Sequence, residues 1–450
     1  MTTQDSALLA LARSVVERAQ PGEQVEAYVS RDAETSVRVY EGEIEQLISA
    51  QSEGIGVRII CEGRSGFAYA GVLDPSVIDE VLAEARDNAG FGTPDEWAGL
   101  ASPDGVTPPS ITLWRDELAS FPAERKIALA LELEKMTLGR DKRVRVEESS
   151  FADVLAEAAV ATSTGIAVSG RESGCYVVVS TLADDGDETQ TGFAYSVGRA
   201  PDELDLERAA REASDRATRL LGATKPSTRR VTVVLDPFVT AQFLGIVGST
   251  LNGESVLKGR SLFANRLGDL VGASNLTLID DATNPLAYTA SEVDGEGLAT
   301  RRNVLIENGV LRQFVQSSYS GRRSGGASTG NAVRGGFKGT PGCGCLALSV
   351  VPGARSQAEL VKDVDDGVLI QMVTGLHSGV NPISGDFSTG ASGLLISKGE
   401  LAGPVKEFTI ASTLQRMLTD VVEVGGDLEW LPMRAAGVSL VVDGLTMSGA

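Results

Sequence analysis

The sequence is almost without histidine: its 450 residues contain one, His377. A metal centre built on two imidazoles therefore cannot be assembled from this chain alone. Cysteine is scarce as well, and Cys61, Cys175, Cys343 and Cys345 are too few and too scattered for a disulfide framework. Aromatic residues make up 5% of the chain, and no apolar run approaches the roughly 18 residues of a membrane span. Residues 1–19 lack a basic leader and a continuous apolar core, so they read as an amphipathic helix rather than a signal peptide. The compartment expected from these absences is a reducing cytoplasm. Positive charge is short too: 40 Lys and Arg against 61 Asp and Glu leave a net charge of −21. Such a chain repels phosphates, which disfavours direct nucleic-acid binding. The local basic stretches, residues 225–230 and Arg322-Arg323, read as solvated loops. No Gly-x-Gly-x-x-Gly stands between a strand and a helix, so no dinucleotide site is expected.

What is present is an ordinary apolar content of 42% over a length that suits two or three domains. Residues 6–19 put Leu8, Leu11, Ala12, Val15 and Ala19 on one helical face. Short strands are expected at 25–30, 35–40, 43–48, 56–61 and 66–70, and a helix after Asp74-Pro75. Residues 91–110, rich in Gly, Pro and Asp, read as a linker. The plan then recurs: a helix near Pro122, strands at 143–148, 154–162, 166–169, 174–183 and 190–197, and a helix over 204–221. The tetrapeptide Gly66-Phe67-Ala68-Tyr69 returns as Gly192-Phe193-Ala194-Tyr195, each with a proline, Pro75 or Pro201, at the same distance from its tyrosine. A duplicated unit is the reading these echoes favour. The fold expected is α+β: a duplicated helix–antiparallel sheet–helix region followed by a mostly β C-terminal domain. Its parts are a first unit over 1–90, the linker 91–110, a second unit over 111–228 and the β domain over 229–450.

In that last domain, residues 231–235 form an apolar strand, and Asp236-Pro237 should start a helix running to about 250. Gly245 and Gly248 weaken it, and it offers no metal ligand and no strong acid or base before Glu254. Further strands are expected at 277–279, 303–307, 310–314, 346–351, 368–372, 394–398 and 438–442, with a helix over 409–422.

Several loops carry chemistry in more than one reading. Asp294-Gly295-Glu296-Gly297 and the hairpin around Asn308-Gly309 are either a plain turn and hairpin or a peptide-contacting surface. Ser328, Thr329, Gly330 and Asn331 lie in a stretch too glycine-rich to pack as core, so either a functional or a mobile surface loop. Residues 385–393, with Asp386 and Ser388, are another glycine-rich candidate. Cys343-Gly344-Cys345 reads as structural rather than as half of a zinc site, because two more ligands are not evident. His377 with Cys345 or Ser378 would make a nucleophile–base pair.

These motifs resemble the TldD/PmbA family. The segment 231–255 resembles the strand–turn–helix on which its catalytic branch carries HExxxH. Aligned without gaps, Gly245 and Thr250 take the histidine positions and Ile246 the glutamate position. Ser328-Thr329-Gly330-Asn331-Ala332 resembles a family signature. Residues 385–393 are similar to the GD(F/Y)SxGAxG element of the PmbA (TldE) branch, and Glu407-Phe408-Thr409-Ile410-Ala411 to its ExTIA. The catalytic branch also has a cysteine ligand near its C-terminus, whereas the last cysteine here is Cys345.

The resemblance implies a non-catalytic subunit of a TldD/TldE-type metalloprotease complex that processes unfolded peptides or peptide precursors. It implies a heterodimer with a TldD-like subunit holding the metal, and no cofactor in this chain. Peptide or partner contacts are expected at Asp294, Glu296, Ser328, Thr329, Gly330, Asn331, Asp386 and Ser388. The alternatives are an autonomous hydrolase using His377 with Cys345 or Ser378, and a homodimeric peptide-binding protein.

Overall fold

In the computed structural model, which describes residues 6–450, the two N-terminal repeats build one sheet rather than two. The first repeat comprises α1 (Ala7–Val16), β1 (Glu23–Tyr40), β2 (Glu43–Cys61), β3 (Arg64–Ala70) and α2 (Ile78–Phe91). After a one-turn helix α3 (Asp116–Ala119), the second comprises α4 (Ala123–Leu138), β4 (Val144–Thr162), β5 (Ala167–Asp185), β6 (Glu188–Gly198) and α5 (Leu206–Arg219). The sheet has six strands in the order β3-β2-β1-β4-β5-β6, with antiparallel β1 and β4 as the seam between repeats. Each helix pair buries its own half. Leu8, Leu82 and Ile59 belong to one core, and Leu133, Phe151, Val177 and Ala210 to the other.

Four of these strands run straight through the turns expected near residues 31–34, 49–55, 149–153 and 170–173. The chain does not reverse there: residues 49–52 and 170–172 are exposed on both faces, whereas Ser149, Ser150, Phe151 and Asp153 are buried. Arg31, for example, stays in register opposite Glu53 and bonds it at 2.9 Å. The repeated tetrapeptide marks where each helix presses on its sheet. A Cβ on Gly66 would lie 2.0 Å from the Ala85 carbonyl oxygen, and one on Gly192 would lie 2.3 Å from that of Ala213. Only glycine admits such an approach.

The C-terminal domain holds β7 (Arg229–Leu235), α6 (Pro237–Thr250), α7 (Gly253–Leu257), β8 (Leu278–Asp281), β9 (Arg302–Glu307) and β10 (Val310–Leu311). It continues through α8 (Ser318–Arg323), β11 (Ala332–Val333), β12 (Gly342–Cys343), β13 (Leu348–Val350), α9 (Gln357–Val361) and β14 (Asp366–Thr374). It ends with α10 (Leu376–Gly379), β15 (Asp386–Ser397), β16 (Glu400–Thr413), α11 (Leu414–Thr419), β17 (Val421–Val424) and β18 (Leu440–Ser448). The main sheet runs β16-β15-β14-β7-β18-β17, and a further β16–β18 pairing closes it into a barrel-like ring. A smaller sheet, β10-β9-β8-β13, lies beside it. Val233, Phe243, Leu305, Ile370 and Ile410 share the core. The helix expected over 409–422 shrinks to α11. Residues 409–411 instead finish β16, paired with β15 on one side and β18 on the other, and Thr413 caps the helix.

Residues 92–115 have little regular structure but are held in place. Tyr319 donates to Asp95 at 2.8 Å, and Arg322 reaches the carbonyls of Trp97, Gly99 and Leu100. Among the described residues, no helix is long and apolar enough to cross a membrane.

Candidate functional site: the α6 helix and the buried polar network behind it

α6 begins as its sequence dictates. The Asp236 side chain accepts from Phe238 N–H at 3.1 Å, Pro237 occupies the first turn, and Arg216 of α5 bonds Asp236 at 3.0 Å. Burial raises the Asp236 pKa, against the pull of Arg216. The two glycines within α6 have different causes. Gly248 is pressed against β13 and the cysteine hairpin, where an added Cβ would stand 2.9 Å from Leu348. Gly245 faces open space and is exposed, as is Ser249 one turn on. One face of α6, carrying Gly245, Ile246 and Ser249, is therefore accessible. The other side of the helix, including Val247 and Thr250, is buried.

The three positions aligned with HExxxH do not fit a metal. Gly245 and Ile246 carry no donor atom, and the Thr250 hydroxyl is buried and donates to Val247 O at 2.7 Å. Among the described residues, no group of three His, Cys, Asp or Glu side chains could hold a metal ion.

Behind the C-terminal end of α6 lies a polar network that collects most of the expected site residues. Gly253 N–H donates to Val315 O, and Gln316 and Thr329 exchange bonds of 2.7 and 3.1 Å. Asn331 is fully buried. It donates to Asp280 at 2.6 Å and to Gly344 O at 3.2 Å, and accepts from Asn303 at 2.9 Å. The Ser328 hydroxyl accepts from Gly330 N–H at 3.1 Å. Gly330 has φ +71° and sits against the Ala299 carbonyl, so no other residue would fit there without strain. The stretch expected to be too glycine-rich for core thus contributes to it: Asn331, Ala332 and Phe337 are buried. The polar residues are accommodated because each finds partners inside.

Asp294 and Glu296 are 5% and 2% exposed and serve internal bonds. Asp294 accepts from the backbone N–H groups of Glu296, Leu298 and Ala332 at 2.9 to 3.0 Å. Burial, reinforced by Glu296, pushes its pKa up to about 7 despite those donors. Glu296 accepts from Ser318 N–H at 2.9 Å and lies 3.8 Å from Arg58 of β2. Arg58 bonds Glu26 of β1 at 2.8 Å, and Arg334 bonds the other oxygen of Glu26. Burial alone would raise the Glu26 pKa, but the two guanidinium groups outweigh it and hold it low. This chain of charges ties the N-terminal sheet to the C-terminal domain. Glu26, Arg58, Asp280, Asn303, Gln316 and Arg334 escaped the sequence reading, because each partner is remote in the chain and none lies in a recognisable motif.

Asp386 and Ser388 stand apart, exposed on β15. Asp386 accepts from Ser384 at 2.7 Å. The proposed nucleophile pairs are not assembled. His377 and Ser378 are both exposed in α10, and the Ser378 hydroxyl bonds Gly375 O at 3.2 Å. Cys345 points its sulfur at Gly248 O, 3.8 Å away. Burial, with Asp280 nearby, raises the Cys345 pKa well above normal and keeps it a thiol.

Comparison with known proteins bears on the whole chain. Residues 25–89, 116–221 and 228–449 match the models described as PmbA/TldA metallopeptidase domain 1, central domain and C-terminal domain. The protein named Metalloprotease PmbA from Escherichia coli O157:H7 is 27% identical over 408 residues, covering 90% of this chain and 88% of that protein. A Metalloprotease TldD homolog from Buchnera aphidicola is 25% identical, covering 84% of this chain and 80% of its own. The crystal structure of TldE from Thermococcus kodakarensis shares the fold with a TM-score of 0.91 at 23% identity, over 99% of this chain and 100% of that one. With family matches along almost its whole length, the chain belongs to the PmbA/TldD family of metallopeptidases.

Proposed function

We propose that this chain is the subunit of a TldD/TldE-type metalloprotease complex that lacks the metal, and that a TldD-like subunit supplies the metal and the chemistry. The observation that carries the proposal is the accessible face of α6. It presents Gly245, Ile246 and Ser249, with no imidazole, thiolate or carboxylate, in a chain whose one histidine lies elsewhere in exposed α10. The substrate we assign is an unfolded peptide or peptide precursor, held by main-chain hydrogen bonds in the manner of an added strand. The open face of α6 and the unobstructed glycines Gly335, Gly336 and Gly339 leave room for such a backbone. The exposed side chains of Asp386 and Ser388 are the candidates for direct contact. Asp294, Glu296 and Asn331 act from behind, by fixing the loops.

The test is metal content and peptide cleavage of the purified chain, alone and mixed with a TldD-like chain. We expect no bound metal and no cleavage alone, with chelator-sensitive cleavage on mixing. Stoichiometric metal in the isolated chain, or cleavage by it, would overturn the proposal.

A further inference from the structure

One face of the N-terminal sheet carries no helix. α1, α2, α4 and α5 pack on the other, through positions such as Val29 and Val177. The C-terminal domain reaches the helix-free face at both ends. At one end the Phe337 ring covers Gly54, where a Cβ would stand 2.5 Å from it, and the Arg334 guanidinium lies 4.7 Å from the Tyr28 ring centre. At the other, the Tyr288 hydroxyl would meet a Cβ on Gly174 at 3.1 Å, and Phe238 of α6 stacks on Tyr195 with ring centres 5.9 Å apart.

Asp32 and Glu172 stand between these ends. Asp32 is opposite Ala156, and Ala156 opposite Glu172, so two carboxylates flank one alanine on this face. Tyr28 precedes Asp32 by four residues, roughly 13 Å, and Val178, opposite Tyr195, follows Glu172 by six, roughly 20 Å. Asp32 is half-buried and Glu172 is open to water. Neither has an ion pair or a hydrogen bond among the described residues, and Glu34 adds a further negative charge. Desolvation, then Glu34, pushes the Asp32 pKa up to about 6, and desolvation raises that of Glu172 against the pull of Arg199. Arg199 itself is occupied elsewhere, donating to the carbonyls of Ser173, Ala287 and Tyr288 at 3.1 to 3.2 Å.

A second group at this spot is unsatisfied. The Ser30 hydroxyl, on the same face of β1 and next in line to Asp32, belongs to a residue that is 2% exposed, and it has no hydrogen-bond partner among the described residues. Its cross-strand neighbours, Gly54 and Ala158, offer no polar side chain. A buried hydroxyl left unbonded is unfavourable, so charge and hydrogen bonding are both incomplete here.

We propose that Asp32 and Glu172, with the Ser30 hydroxyl beside them, form a subsite for a basic side chain, lysine or arginine, of the bound peptide. The cation supplies the counter-charge that both carboxylates lack and donates to the Ser30 oxygen. An extended peptide running from the Phe337 loop towards α6 crosses this point with its middle, so a side chain rather than its terminal amine falls there. The proposal rests on the reading that this chain holds an unfolded peptide.

The test uses the complex with a TldD-like chain, its metal removed by chelator, and an end-blocked fluorescent peptide of glycine, serine and alanine with one central lysine or glutamine. Affinity is read by anisotropy. We expect the lysine peptide to bind at least fivefold more tightly than the glutamine peptide, and Asp32→Asn/Glu172→Gln to bring the ratio to about one. Glu172→Lys, at an exposed position, should turn the preference towards a central glutamate. Equal binding of the two peptides by the wild type, or a lysine preference that survives both variants, overturns the subsite. Chelator-sensitive cleavage by the untreated complex would then leave the subunit assignment standing, whereas failure to bind any peptide overturns the peptide-holding role itself. A preference that follows an unblocked terminal amine rather than the lysine, or that magnesium or calcium chloride abolishes at matched ionic strength, gives the carboxylates to a different cation and overturns the side-chain assignment.

Discussion

The two N-terminal repeats share an interior and differ at their rims. Inside, each has a glycine of its repeated tetrapeptide crushed under a helix: Gly66 beneath Ala85 and Ala89, Gly192 beneath Ala213 and Ala217. At the rim, residues 111–115 bond the second repeat at Ser173, where the first repeat has no such segment, while residues 43–52 of the first and 169–172 of the second are exposed alike. The repeats also dock differently on the C-terminal domain. The first does so through the buried Glu26, Arg58 and Arg334 group, the second through Arg199 on the Ala287 and Tyr288 carbonyls and Arg216 on Asp236. Close packing constrains the interior of both copies alike, whereas the rim answers only to what covers it.

The largest effect is expected where the first repeat docks. Arg334→Met removes a cation that is 2% exposed and leaves Glu26 with Arg58 as its remaining counter-charge. Breaking a buried ion pair from one side costs about 3–5 kcal/mol. Calorimetry should show a lower and broader transition, with the N-terminal sheet parting from the C-terminal domain. An unchanged melt would mean that the second repeat carries the docking alone.

Next come the shared glycines. Gly66→Val and Gly192→Val force side-chain atoms against helix backbone, and overpacking of this kind costs about 3 kcal/mol. Urea unfolding should give similar losses for the two, because the approach distances match. A large loss in one and none in the other would end the claim that the repeats share one interior.

The rims can be set against each other directly. Leu113→Ala, in the strap over β5, should cost about 2–3 kcal/mol, because Leu113 packs on Ala282, Ala287 and Ala347. Ile44→Lys/Ile48→Lys on the bare edge should change the stability of the isolated chain by no more than about 0.5 kcal/mol, as surface substitutions do. Equal losses would show that the bare edge is covered within the chain after all.

How far the sequence speaks follows the same division. The duplication, the α6 start at Asp236-Pro237 and the missing metal ligands are all legible, because each is written in neighbouring residues. The continuity of β1, β2, β4 and β5 is not. Their middles are polar, and what keeps Arg31 or Gly170 in a strand is a partner across the sheet, Glu53 or Ala158, supplied from far along the chain. The network around Asn331 is hidden for the same reason. Asp280 and Asn303 are unremarkable until the fold brings them to one buried side chain. Asp294 and Glu296 drew notice as an acidic turn, yet only packing shows that they face inward.

The effect that appears only as pH is varied concerns Asp294, on the first repeat's side of the C-terminal domain. Its pKa rises from 3.8 to about 7, chiefly by burial and then by Glu296. The folded protein therefore keeps a proton that the unfolded chain releases near pH 4. The stabilising contribution of that proton is complete below about pH 4 and is lost as pH climbs through about 7. Asp294→Asn has no such proton to lose. Melting temperatures measured from pH 4 to 8 should show the wild type falling relative to the variant up to about pH 7 and running parallel above it. Parallel profiles throughout would mean that the three backbone donors hold the Asp294 carboxylate ionised inside the fold, and that the first repeat docks against a fixed charge rather than a titrating one.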